Sequence, residues 1–224
     1  MPSNDPETLP MLIRPTRRLL APLLLGAMFA AWHGAPSAAD APVAPPPWPV
    51  PKDPPVSLAA DPVRPLLLGS LRVTLDGSTL SAIRDAIGVG AQQRQGKGTD
   101  ALDWLCYTLP EAASAQRLWL TSSELARGRI DAVVAAELPP GAAATPQCPD
   151  LPARFRPARF DDGLWLGGLG AELRKSLGIP AKPGPVFSSL FQGQTGNLAM
   201  VSSTVLELRA GRVASLHVAH SSQN

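Results

Sequence analysis

The chain has 224 residues, of which 26 are proline, and its formal net charge is only +2 at pH 7. A nearly neutral chain has no electrostatic reason to bind nucleic acid or an anionic membrane surface, so we expect neither kind of partner. The length is sufficient for one domain, or two small ones, with a real hydrophobic core.

Residues 1–39 are predicted to be a signal peptide for export across a bacterial-type inner membrane. Three arginines between residues 14 and 18 form a basic region, and residues 19–32 are apolar and uncharged. That stretch is shorter than the ~20 residues of a membrane-spanning helix. Small residues then favour cleavage before Asp40, although an uncleaved anchor and twin-arginine export stay open as alternatives. With no cysteine near this point, we expect a periplasmic or secreted protein that is not a lipoprotein and has no membrane span after cleavage.

Residues 40–66 are predicted to be a proline-rich, disordered tether. Ten of the residues 41–65 are proline, which fixes φ and lacks a backbone donor, so neither a helix nor a central strand is expected. Such a segment is extended and similar to polyproline II. It would be a passive N-terminus, a spacer, or a ligand for a proline-binding groove.

Cys106 and Cys148 are predicted to form a disulfide. An even number of cysteines in an exported protein favours a structural bridge. Their wide spacing is unlike a CxxC redox centre, and two isolated thiols make a poor zinc site.

An internal repeat is predicted between residues 67–140 and 163–224, with a connector at 141–162. In the first copy a strand at residues 71–75 and a turn at 76–77 precede an apolar stripe at helical spacing that ends at a glycine. In the second copy residues 164–166 lead through glycines into a similar stripe. Ser78 or Thr79 would cap the first helix. The stripes and their glycines are Leu80, Ile83, Ile87 and Gly88 in the first copy, and Leu169, Leu173, Leu177 and Gly178 in the second.

Three strands are predicted after each helix. Residues 92–100 of the first copy are Gly- and Gln-rich and are predicted to be a surface loop. Gly128 and Gly211 are predicted to supply positive φ in the turn between the last two strands of each copy. The predicted strands are residues 104–109, 117–125 and 130–138, and then 186–192, 198–208 and 212–220.

The expected fold class is therefore α+β. Two tandem repeats, each of one helix and a three-stranded antiparallel meander, would place both helices on one sheet face.

This order of elements resembles a known class of proteins. A helix that ends at glycine, as at residues 87–90 and 177–180, precedes an aromatic strand at residues 104–107 of the first copy. In both copies two strands joined by a glycine turn follow. The pattern is similar to that of the small outer-membrane assembly lipoproteins of the SmpA/OmlA (BamE) type. The tandem form also resembles the beta-lactamase inhibitory proteins. The chain departs from the lipoproteins because it lacks the lipidated cysteine, and the resemblance carries over no functional residue.

We expect no catalytic, cofactor or metal site, and hence no enzyme. The chain has no GxSxG elbow, and His217 and His220 are three apart on a predicted strand, so they would point to opposite faces. Trp104, Tyr107 and Trp119 are the candidate interaction anchors, because aromatic side chains are enriched at binding surfaces. Trp104 and Tyr107 are three apart, so they would point to opposite faces of one strand, one packed under the helix and the other on the outer sheet face. Packing in the core or at the sheet edge is the alternative for both.

The expected function is a non-catalytic interaction or scaffold module of the cell envelope. It would bind another envelope protein through the open face or the edges of its sheet. A periplasmic inhibitor or small-ligand-binding protein is the first alternative, and a hydrolase with an unrecognised site is the second.

Overall fold

A computed structural model describes residues 42–111 and 114–223. The predicted signal peptide lies outside these residues. The described part contains eleven strands, two α-helices and three short 3-10 helices at Gly98–Asp100, Glu124–Ala126 and Ala153–Phe155. The strands are β1 (Val56–Ser57), β2 (Leu66–Leu68), β3 (Leu71–Val73), β4 (Gln93–Gln95), β5 (Leu102–Leu109), β6 (Gln116–Ser123), β7 (Ala132–Glu137), β8 (Ala158–Phe160), β9 (Val186–Thr195), β10 (Leu198–Arg209) and β11 (Arg212–Gln223), and the helices are α1 (Leu80–Ile87) and α2 (Ala171–Ser176).

Eight of the strands form one mixed sheet in the order β1-β9-β10-β11-β7-β6-β5-β4. The pair β1 and β9 is parallel, and the other neighbours are antiparallel. Strands β7 and β11 pair at the centre, with Val134 opposite His217. The last strand of each predicted repeat copy therefore lies beside the other, which joins both halves of the chain in one sheet.

A second sheet of three short strands has the order β3-β2-β8 and is antiparallel throughout. Together with α1 it covers one face of the large sheet. Helix α1 begins at Thr79, whose side chain accepts a hydrogen bond from the Ala82 N–H, and ends at Gly88 with φ 81°. Its stripe of Leu80, Ile83 and Ile87 is buried. We call the covered face of the large sheet the inner face, because the main hydrophobic core lies on it.

The predicted fold class is wrong. The protein is mostly β, and its layers are an eight-stranded mixed sheet and a three-stranded sheet rather than two helix-plus-meander units. The six strands predicted after the helices lie at β5, β6, β7, β9, β10 and β11, so local alternation located them well. The error was in the other layer, where β3, which lies within the predicted strand at residues 71–75, pairs with the unpredicted β2, which pairs in turn with the unpredicted β8 to form a second sheet.

The second helix illustrates the physical reason. Helix α2 has only six residues, and none of them is buried. It begins after Gly170, which provides no side-chain cap, and Pro180 follows soon after it. Leu177, the last position of the predicted stripe, is buried just beyond the helix, and Leu169 lies before it. The stripe therefore packs on the core with little helical structure.

Candidate functional site

The face of the large sheet opposite the main core is here called the outer face. Side chains alternate along each strand, so residues paired across strands share a face. Trp119 of β6 is paired with Val134 of β7, which is paired with His217 of β11. These three residues form the outer row. His217 is fully buried, although it lies on the face away from the main core.

A second, smaller hydrophobic cluster lies on the outer face. Its buried members are Trp104, Cys106, Trp119, Val134 and Cys148. Cys106 and Cys148 form the predicted disulfide, with Cα atoms 4.7 Å apart, well within the range for such bridges. The disulfide prediction is thereby confirmed.

Hydrogen bonds to Thr108 of β5 hold the connector that carries Cys148. The Thr108 hydroxyl donates to the Cys148 carbonyl over 2.9 Å, and the Thr108 N–H donates to the Pro149 carbonyl. The Leu151 N–H donates in turn to the Thr108 carbonyl. These contacts fix the connector beside the outer row.

Residues 42–50, here called the proline segment, lie against the outer face. The Val43 N–H donates to Gln93 Oε1 over 2.8 Å, and the Val43 carbonyl accepts from Trp119 Nε1 over 3.0 Å. Gln93 Nε2 also donates to the Gln147 carbonyl over 2.7 Å. The Gln93 amide therefore connects the proline segment to the disulfide connector. Both polar groups of Val43 are satisfied by side chains of the sheet, and its own side chain packs against the outer-face hydrophobic cluster, so this contact recognises an extended backbone together with an apolar side chain.

Trp48 makes the second contact between the proline segment and the outer row. Its ring centroid lies 5.1 Å from that of His217, with the ring planes inclined by 52°. Trp48 remains 42% exposed, whereas burial lowers the pKa of His217 to about 4. His217 is therefore neutral at pH 7.

Several polar atoms of the outer face lack hydrogen-bond partners among the described residues. They are Trp104 Nε1, Arg117 Nε, both ring nitrogens of His217, and Ser188 Oγ. Trp104 and His217 are completely buried. An unsatisfied buried donor or acceptor costs about 1–3 kcal/mol. A rearrangement that gave these atoms hydrogen-bond partners would therefore be favourable.

A groove of about 260 Å³ opens beside Trp48 on the outer face. Much of its floor is one row of small side chains across the sheet, including Ala132, Ala219 and Ser203, which are paired in register. Its complete lining is Trp48, Leu102, Thr121, Asp131, Ala132, Val201, Ser203, Ala219, His220 and Ser221.

The structure brings two of the three predicted anchors together. Trp104 and Trp119 share the outer-face cluster, whereas Tyr107 lies in the main core on the inner face. The Tyr107 hydroxyl donates to the Val89 carbonyl over 3.2 Å, and burial raises the pKa of Tyr107 to about 12. All three side chains are buried, so their role as anchors stays a prediction.

Sequence reasoning missed Gln93 and the contacts of Val43 and Trp48. The sequence predicts a surface loop at Gln93 and a disordered tether at Val43 and Trp48. The aromatic side chain of Trp48 within a proline run was the available signal, because such runs are recognised by aromatic-lined grooves.

A serine, a histidine and an aspartate also meet at the inner-face end of β11. Ser202 Oγ is 2.8 Å from His220 Nδ1, and Asp61 Oδ2 is 3.4 Å from the same nitrogen. In a catalytic triad the carboxylate and the serine contact different ring nitrogens. Here they share one, and Ser202 is fully buried, so this cluster does not form that relay.

Within residues 42–111 and 114–223 there is no group of three His, Cys, Asp or Glu side chains placed to bind a metal ion. In the same residues no helix has the length and hydropathy needed to cross a membrane.

Comparison with known proteins adds no relative, since no family model, curated protein or solved structure matches this chain. The resemblance to SmpA/OmlA-type lipoproteins and beta-lactamase inhibitory proteins therefore stays a prediction.

Proposed function

We propose that this protein is a non-catalytic interaction module of the cell envelope, and that the outer face of its large sheet contacts the partner. The groove beside Trp48 is the observation that carries the proposal. It combines an exposed aromatic ring with a floor of small side chains, which leaves room for a partner's side chains between Trp48 and Val201. Aromatic residues are enriched where proteins bind one another.

The size of the groove favours a polypeptide partner over a small ligand. Pockets for drug-sized ligands have volumes of about 300–1,000 Å³ and bury most of the ligand. The groove, at about 260 Å³, is smaller and lies open on a sheet face. It suits one or two side chains of a longer chain that continues across the sheet.

The compartment is supported by two observations. The basic, apolar and small-residue regions before Asp40 follow the order of an export signal. The disulfide between Cys106 and Cys148 is a bond that persists in oxidising compartments. The partner we propose is accordingly another envelope protein.

Site-specific photocrosslinking in cells tests this function. A photoreactive amino acid at Ser203, on the groove floor, is expected to capture a defined partner. The same group at Ser81, which is exposed on α1, is the matched control and is expected to capture none. Filling the groove with Ala219→Trp should abolish capture from position 203. Equal products from positions 203 and 81, or capture that survives Ala219→Trp, would contradict the proposal.

A further inference from the structure

The proline segment is held by hydrogen bonds that recognise an extended backbone. Gln93 and Trp119 bind the N–H and the carbonyl of one residue, Val43, and neither hydrogen bond depends on its side chain. Any residue except proline could donate that N–H. The position therefore requires a non-proline residue in an extended chain, and the packing of the Val43 side chain on the outer-face cluster favours an apolar one.

The rest of the segment has the shape that aromatic-lined grooves recognise. Prolines occupy positions 42, 45, 46, 47 and 49, so the chain is close to polyproline II, which has no internal hydrogen bonds. From Val43 to Trp48 such a chain spans roughly 15 Å. The strands of Trp119 and His217 are two positions apart in the sheet, about 10 Å, so the segment crosses them diagonally.

Some polar atoms beneath or beside the segment form no hydrogen bond with it. Trp104 is paired with Gln93 across β4 and β5, and it is fully buried on the face where Val43 binds. Among the described residues nothing accepts a hydrogen bond from its Nε1 atom, and the nitrogens of His217 beneath Trp48 are also unpartnered. A peptide with a carbonyl directed at Trp104 Nε1, or at the one protonated ring nitrogen of neutral His217, would bind better than residues 42–50 do.

The segment is attached at Val43 and Trp48, and the chain that follows Trp48 is largely exposed. Val50 is 85% exposed, and the residues that follow, 52–55, are exposed as well. Backbone pairing with the sheet begins only at β1, which has two residues. The described residues of the segment can leave the outer face without disturbing a long strand.

We propose that Gln93, Trp119 and His217 form a binding site for an extended proline-rich peptide of another protein, and that residues 42–50 occupy this site in the free chain. This inference rests on the proposed function, because it assigns the partner of the same outer face. The aromatic residue of the partner's peptide would take the place of Trp48 over His217 and beside the groove. The ligand has a non-proline residue at the position of Val43 and an aromatic residue five positions later.

The occupant is another protein rather than a second copy of this chain. A second copy would present the same segment and would leave Trp104 and His217 equally unpartnered. It would also compete with a covalently attached segment, whose effective concentration is in the millimolar range for short linkers. A partner that satisfies the unused donors has an advantage that a second copy lacks.

Peptide titration of the full-length protein tests the inference. The probe is a fluorescent peptide with the sequence of residues 42–50, PVAPPPWPV. The double variant Val43→Pro/Trp48→Ala removes the N–H and the ring that hold the attached segment, and leaves the site intact. Because the attached segment lowers the available fraction of sites, the variant is expected to bind the peptide at least about tenfold more tightly than the wild type.

Two controls make the result specific. The peptide PPAPPPWPV lacks the N–H that binds Gln93 and is expected to bind several-fold more weakly. Adding Gln93→Ala to the double variant should weaken binding of the original peptide to a similar extent. Equal affinity of the wild type and the double variant, or no binding by either, would overturn the inference. Concentration-dependent dimerisation that the double variant abolishes would also overturn it, in favour of a second copy.

The peptide result and the cellular crosslink are independent. If the peptide fails to bind while Ser203 still captures a partner, the proline-peptide assignment fails and the interaction function stands. If the peptide binds and Ser203 captures nothing, the site exists and the proposed cellular role fails.

Discussion

Replacement of both Cys106 and Cys148 by alanine is expected to lower the free energy of unfolding by about 4 kcal/mol. The bridge joins residues 42 positions apart, and in the chain-entropy model this loop restricts the unfolded chain strongly. Both cysteines are buried in the cluster below Val43, so the folded protein also loses packing there. Urea denaturation of the oxidised protein measures the change.

Reduction provides the matched control for this prediction. A reducing agent should lower the urea midpoint of the wild type and leave that of the double alanine variant unchanged. A loss below about 1 kcal/mol in the variant would show that the bridge adds little to stability. Sensitivity of the variant to the reducing agent would show that another effect is being measured.

Acidification from pH 6.5 to pH 4 is expected to destabilise the folded protein by up to about 3 kcal/mol through His217 alone. The pKa of this histidine is lowered to about 4 by burial, while in the unfolded chain it is near 6.5. Between these values the unfolded chain binds a proton that the folded protein does not. The free energy of unfolding therefore falls as the pH falls through this window. Above pH 6.5 the neutral, buried His217 causes no loss of stability.

The variant His217→Leu is expected to remove this part of the acid dependence. Leucine cannot bind a proton, and it also removes two ring nitrogens that have no partner among the described residues. Stability at pH 7 should stay equal or rise. His220→Gln is the control, because it retains His217 and should keep the acid loss. The same acid loss in His217→Leu as in the wild type would contradict the assignment.

Much of the large sheet could be predicted because its signals are local. Strands β5, β6, β7, β9, β10 and β11 have alternating or apolar patterns and contain or border glycine turns. The turn between β10 and β11 contains Gly211 with φ 75°, as its position after a long strand suggested. Helix α1 was also visible, since Thr79 and Gly88 cap a clear apolar stripe.

The short strands could not be predicted, because their pairing partners determine them. Strands β1, β2, β4 and β8 have two or three residues each, too few for a period of two to be recognised. β1 follows Pro54 and Pro55 and lies at the edge of the sheet, where a missing backbone donor is tolerated. Without β2 and β8 the second layer was assigned to helices, and the fold class was wrong.

The candidate site was even harder to predict from the sequence than the short strands. The two hydrogen bonds of Val43 join it to residues 50 and 76 positions away, Gln93 and Trp119. The outer row depends on the pairing of β7 with β11, which unites the two halves of the chain. No local sequence pattern indicates the register in which β7 pairs with β11. Composition did identify a proline-rich segment, and a proline-binding groove was one of the interpretations that it left open.

The most direct test of this account is a nuclear Overhauser measurement on the purified full-length protein. The central claim is that residues 42–50 lie on the outer face of the sheet. We expect cross-peaks from the Trp119 indole N–H proton to Val43, and from the Trp48 ring protons to the His217 ring. The absence of both sets of cross-peaks, with the Trp119 and His217 resonances assigned, would contradict the account and remove the basis for a self-occupied peptide site.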